Sequence, residues 1–103
     1  MTTVKVTITK VVAQHQPTFV EFYLTDIHGK KHFFHDKIPI VSEEYYIDDT
    51  DFPKNGALRC TVTEKLKNSY IIDTDIPDHV DSLDGSTVFE VAPDQIEFQG
   101  KTL

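Results

Sequence analysis

The stretch TFVEFYLTDIHGKKHFFHDKI, from Thr18 to Ile38, reads as a β-hairpin. Val20, Phe22 and Leu24 alternate with Glu21, Tyr23 and Thr25, the period of two of a half-buried strand. Asp26-Ile27-His28-Gly29-Lys30 supplies the turn. An aspartate that opens a turn accepts backbone N–H groups, and a glycine three residues on provides the positive φ that closes it. The returning arm, Lys31 to Ile38, is rich in Phe and His. Phe33 and Phe34 are adjacent and face opposite ways; Phe34 is expected inward, in register with Asp36 and Ile38.

Further strands extend outward from this pair. Thr2 to Gln14 carries Val4, Val6 and Ile8 on one face, and the alternation slips at Val11-Val12, which predicts a bulge. Ile38-Pro39-Ile40-Val41 is expected to stay extended, because proline disfavours helix in the residue before it. Ser42 to Gly56 is the longest connection, with at most one helical turn near Ser42-Glu43-Glu44-Tyr45 and turn chemistry at Pro53 and Asn55-Gly56. Ala57 to Lys67 reads as a fourth strand with Leu58, Cys60 and Val62 inward, Ser69 to Thr74 as a fifth and Ser86 to Ala92 as a sixth. Pro93-Asp94-Gln95 predicts a 3₁₀ turn before a short last strand, Ile96 to Phe98. The expectation is an all-β fold: a six- to seven-stranded antiparallel meander curled into a partly open barrel, SH3-like or OB-like, with residues 1–103 as one domain. A 3₁₀ turn ahead of the final strand is similar to SH3-like barrels.

Apolar content of 39% and charged content of 26% are ordinary for a globular chain of 103 residues. The single cysteine, Cys60, rules out an internal disulfide and any zinc site built on two or more thiolates, and it fits a reducing compartment. Its place on an inward strand face predicts a buried, inert thiol. The opening residues lack a basic segment followed by an apolar run, and no apolar run is long enough to span a bilayer, so a cytoplasmic protein without a membrane role is expected.

The net charge of −7 sets a phosphate backbone at a disadvantage, so nucleic acid is not the expected partner. The charge is concentrated. Glu43, Glu44, Asp48, Asp49 and Asp51 fall in one window, and Asp73, Asp75, Asp78, Asp81 and Asp84 in another, with no Lys or Arg in either. In an up-and-down meander these two connections meet at one end of the molecule, away from the lysines at the Gly29 and Asn68 turns. The expectation is an acidic rim that steers toward a basic protein surface, with Tyr45, Tyr46 and Phe52 as aromatic anchors. The bland alternative is a solubilising surface, with the aromatics folded back over the open end of the core.

Catalytic and metal chemistry find no pattern. His32 and His35, three apart on a strand, face opposite sides and cannot share a metal. The alternating carboxylates at Asp73 and Asp49 fail the EF-hand pattern, which needs Gly at its sixth position and Glu at its twelfth; these are Asp78 and Asp84 in one case, Lys54 and Cys60 in the other. No nucleophile elbow, phosphate loop or HExxH motif is present. The sequence therefore predicts a non-catalytic module without cofactor or metal, of the kind small acidic immunity proteins exemplify. A barrel binding a small ligand or cation at its acidic mouth is the alternative.

Overall fold

The computed structural model describes residues 2–14, 17–43 and 52–98. The chain is all-β, as the sequence predicts. Its described residues form eight strands in two antiparallel sheets that do not close on themselves. The larger sheet holds β1 (Thr2–Ala13), β2 (Phe19–Thr25), β3 (Lys31–Lys37), β4 (Lys54–Arg59) and β8 (Ile96–Phe98), with β3-β2-β1-β4 as its main order and β8 also on β1. The smaller holds β5 (Thr61–Lys65), β6 (Tyr70–Asp73) and β7 (Val88–Val91).

The hairpin of β2 and β3 forms as its residues dictate. Asp26 Oδ1 accepts the backbone N–H of His28 at 2.9 Å and of Lys30 at 3.0 Å, and Gly29 takes φ +82°. Phe22 and Phe34 face each other across the ladder and stack, centroids 5.0 Å apart, both fully buried. The inward register read for Phe34 and Ile38 is the observed one. In β1 the ladder with β2 shifts register between Val11 and Ala13, at the expected slip, and again between Ile8 and Lys10.

Three expectations are corrected. The up-and-down order fails after β3, because β4 pairs with β1 and not with β3, so the chain crosses from one edge of the sheet to the other. The residues Ile38–Ile40 form a 3₁₀ turn, not an extended strand. Pro39 there occupies a position whose N–H is not needed, and the Val41 N–H bonds back to the Ile38 carbonyl at 3.0 Å. The fourth strand begins earlier, at Lys54, and is divided at Cys60 into β4 and β5. Asn55-Gly56 lies inside β4, and what Gly56 supplies is space. A Cβ there would stand 2.8 Å from the Val41 carbonyl oxygen and 3.1 Å from Ile8 Cδ1. The glycine thus lets the crossing segment lie against β4, where the Ala57 N–H donates to the Val41 carbonyl at 3.0 Å.

One apolar core unites the two sheets. Val4, Ile8 and Phe22 enter it from the larger sheet, Ile72 and Val91 from the smaller, and Phe34 meets Phe89 edge-on at 5.8 Å across the gap. Backbone bonds outside the ladders stitch the sheets together. Ile27 N–H donates to the Glu90 carbonyl, Leu83 N–H to the Phe33 carbonyl and Cys60 N–H to the Thr2 carbonyl.

Candidate functional site

Two segments predicted to carry the acidic rim approach one residue, Arg59, at the end of β4. The first is the crossing segment. Pinned at Val41, it continues through Ser42 to an exposed Glu43, and a groove of about 310 Å³ opens between Pro39–Glu43 on one side and Thr3, Ala57 and Arg59 on the other. The second is the excursion from Thr74 to Thr87. Arg59 donates from Nε to Asp78 Oδ2 at 2.8 Å and from Nη2 to Asp78 Oδ1, a two-pronged pair. Hydrogen bonding to Asp78, then its charge, raises the Arg59 pKa above its ordinary value. Asp78 thus pairs with the Arg59 guanidinium, and Glu43 lines the same groove as Arg59.

The excursion is tied at its neck. Thr74, fully buried, donates from Oγ1 to the Val80 carbonyl at 2.6 Å and to the Thr87 carbonyl at 3.3 Å, while its N–H donates to the Thr87 carbonyl at 2.8 Å. Thr61 Oγ1 holds the Ile76 carbonyl at 3.2 Å. Asp73 Oδ1 accepts the Asp75 N–H at 2.9 Å, and Asp75 Oδ1 lies 3.3 Å from His79 Nδ1. Asp84 accepts from Ser82 Oγ and, at 3.3 Å, from the Ser86 N–H. These bonds, from Ser82 and then Ser86, bring its carboxyl below the ordinary range, and the Lys30 ammonium adds to the effect. Asp75 and Asp81 are exposed.

Of the residues predicted for the rim, Glu43, Asp78 and the neighbouring Asp75 belong to the Arg59 end of the molecule. Asp73 sits within β6, and Asp84 lies at the other end of the excursion, beside the Gly29 turn. The expected separation of carboxylates from lysines therefore does not hold for Asp84. Phe52 is half-buried and packs against the core, the folded-back arrangement considered for the aromatics. Glu44, Tyr45, Tyr46, Asp48, Asp49 and Asp51 lie outside the described residues. Arg59 lies between the inward positions Leu58 and Cys60, so strand alternation gives only that it faces outward. Its partner lies nineteen residues away in sequence, and no local pattern announces such a pair.

Two histidine–carboxylate pairs brace the hairpin on its two sides. His32 Nε2 lies 2.7 Å from Asp26 Oδ2 on the core side, its ring against Phe89; His35 Nε2 lies 3.1 Å from Glu21 Oε1 on the outer side. Partial desolvation pushes both carboxyls up. For Asp26, bonds from His32, Lys30 and His28 outweigh it, and for Glu21, bonds from His35 and Thr9 with the charge of Lys10 do the same, so both settle below their ordinary values. Among the described residues no group of three or more His, Cys, Asp or Glu side chains is arranged to hold a metal ion, and no helix is long and apolar enough to cross a membrane. Comparison with known proteins returned no matching family model, no matching curated protein and no matching solved structure.

Proposed function

We propose that the protein is a non-catalytic binding module that docks a basic protein surface through the acidic segments bordering Arg59. The observation that carries this reading is that Arg59 pairs with Asp78 of one acidic segment and shares a groove with Glu43 of the other. Arg59 holds the excursion in place and balances Asp78, while Asp75, Asp81 and Glu43 keep exposed carboxylates for a partner. Charge in such a rim acts mainly on the rate of encounter. Ile76, half exposed beside the rim, offers an apolar contact within the field of the acids. The same reading takes the unclosed sheets as an SH3-like barrel, supported by the 3₁₀ turn at Pro93–Gln95 that leads β8 back onto β1. The lone cysteine favours a cytoplasmic setting.

The test is capture from native cytoplasm at low and high salt, followed by association kinetics with the purified partner. Glu43→Lys combined with Asp75→Lys and Asp81→Lys is expected to slow association steeply at low salt and little at high salt. Association at an unchanged rate removes the acidic rim from the mechanism.

The groove beside Arg59 favours a second reading, a small-ligand site, since Thr3, Ser42, Glu43 and Arg59 offer polar groups there beside the apolar surfaces of Pro39, Ile40, Val41 and Ala57. Its cation version is tested by melting the protein in millimolar Ca²⁺: a ligand that binds only the folded state raises the midpoint, and an unmoved midpoint rejects it.

A further inference from the structure

The outward side of the β2–β3 hairpin carries an apolar centre with charges of both signs around it. Tyr23 and Phe33 face each other across the ladder, centroids 5.5 Å apart. Leu83 lies against the β3 edge, where its N–H donates to the Phe33 carbonyl at 2.8 Å. Leu83 is 60% exposed and Phe33 37% exposed, so the centre is open to water. On β3 itself Lys31 reaches over the Tyr23 ring at 4.7 Å, and Lys37 over the Phe19 ring at 5.8 Å. Lys31 and Lys37 are exposed, as are Asp81 and Asp84, which flank Leu83 on the excursion.

We infer that this face binds a second copy of the same chain across a twofold axis. In a twofold interface the same patch serves both partners, so whatever residue i meets on the other copy, its counterpart meets in return. The patch therefore has to complement itself. A purely cationic face meeting its own copy would repel; this one sets lysines on β3 and carboxylates on the adjoining excursion around a shared apolar centre. Face to face, Leu83 of each copy covers the other's Phe33 and Tyr23, and Lys31 and Lys37 of each approach the other's Asp81. Edge pairing is not needed, because the Leu83 N–H already occupies the Phe33 carbonyl. An aromatic and aliphatic centre with a charged rim is the ordinary anatomy of a protein interface. The inference does not rest on the docking role assigned to the Arg59 end: it turns on Leu83, Phe33 and the β3 lysines and shares only Asp81 with that role, so Leu83→Asp separates the two.

Sedimentation of the purified chain over a range of concentrations tests it. Reversible dimers are expected with a dissociation constant between about 1 µM and 1 mM, the range of a small transient interface. Leu83→Asp is expected to weaken dimerisation at least about tenfold, as loss of a central anchor does. Leu83→Ser serves as a second variant, and melting confirms that either chain is folded. Lys31→Glu with Lys37→Glu, and separately Asp81→Lys, each weaken self-association, and mixing the two variants restores a dimer because the swapped charges then meet. A chain that remains monomeric at about 1 mM, or a dimer indifferent to both the Leu83 substitutions and the charge swap, overturns the inference.

Discussion

Replacing Gly56 with alanine gives a stability change whose sign is diagnostic. At a strand position open to any residue, Gly→Ala stabilises by about 0.4–1 kcal/mol, because the unfolded chain loses freedom. Gly56 does not adopt a positive φ, so its backbone sets no such obstacle. The obstacle is space. The new methyl would sit 2.8 Å from the Val41 carbonyl oxygen and 3.1 and 3.2 Å from two Ile8 side-chain carbons. Ile8 is fully buried and Val41 nearly so, so neither withdraws into solvent. Relief requires the crossing segment to lift from β4, which strains or breaks the bond from the Ala57 N–H to the Val41 carbonyl. Overpacking of this kind costs about 1–3 kcal/mol and the lost bond about 0.5–1.5 kcal/mol. Set against the entropic gain, a net loss of about 1–3 kcal/mol is expected. In a domain of this size each kcal/mol moves the melting midpoint by roughly 4–8 °C. Urea titration and calorimetry measure the loss, and amide exchange at Ala57 locates it, since protection there should fall before protection in the β2–β3 ladder does. An alanine variant as stable as the wild type, or more so, would refute the close packing of the crossing segment and with it the placement of Glu43 beside Arg59.

Three further outcomes are expected. Asp26 and Glu21 titrate below their ordinary values of 3.8 and 4.5, so the stability they contribute is present above those values and is lost as pH falls through their folded ones. Unfolding free energy measured from about pH 5 down to pH 3 should decline less steeply in Asp26→Asn than in the wild type; parallel curves would remove Asp26 from the acid response. Thr74→Val leaves the Val80 carbonyl without its side-chain donor in a buried place and should cost about 1–3 kcal/mol, read as a shift in denaturant midpoint, and a neutral result would mean that the neck is held by its backbone bond alone. Burial pushes the Cys60 thiol up to about 12, so a thiol-reactive dye should label the native protein only as fast as it unfolds and label the denatured chain at once; rapid native labelling would contradict the strand assignment around Cys60.

What the chain declares in its sequence is what short-range chemistry decides. Asp26 and Gly29 make the hairpin turn with bonds that span at most four residues, and the alternation of β2 fixes which side of the sheet each residue takes. The slip at Val11-Val12 was legible for the same reason. The crossing to β4 was not. Asn55-Gly56 carries the composition of a turn, yet Gly56 is chosen for the closeness of Val41, a neighbour fifteen positions earlier. Whether β4 lies beside β3 or beside β1 depends on which edge is free once the hairpin has closed, and no periodicity encodes that. The acidic windows were visible as charge, but their geometry depends on Arg59 meeting Asp78 and Leu83 meeting Phe33, both long-range events.

β1 runs twelve residues and serves three neighbours: β4 along one edge, β2 along the far half of the other, and β8 along the half that β2 leaves free. Val4 pairs with Ile96, ninety-two positions downstream. During synthesis β1 must wait with part of its hydrogen-bonding edge bare until Ile96 to Phe98 have been made. Such late, distant closure slows the search for the native state, and an unsatisfied strand edge is the feature that invites pairing with a stranger. Shortening the chain before Ile96 would therefore be expected to lower its solubility during expression more than the loss of three residues of strand would suggest.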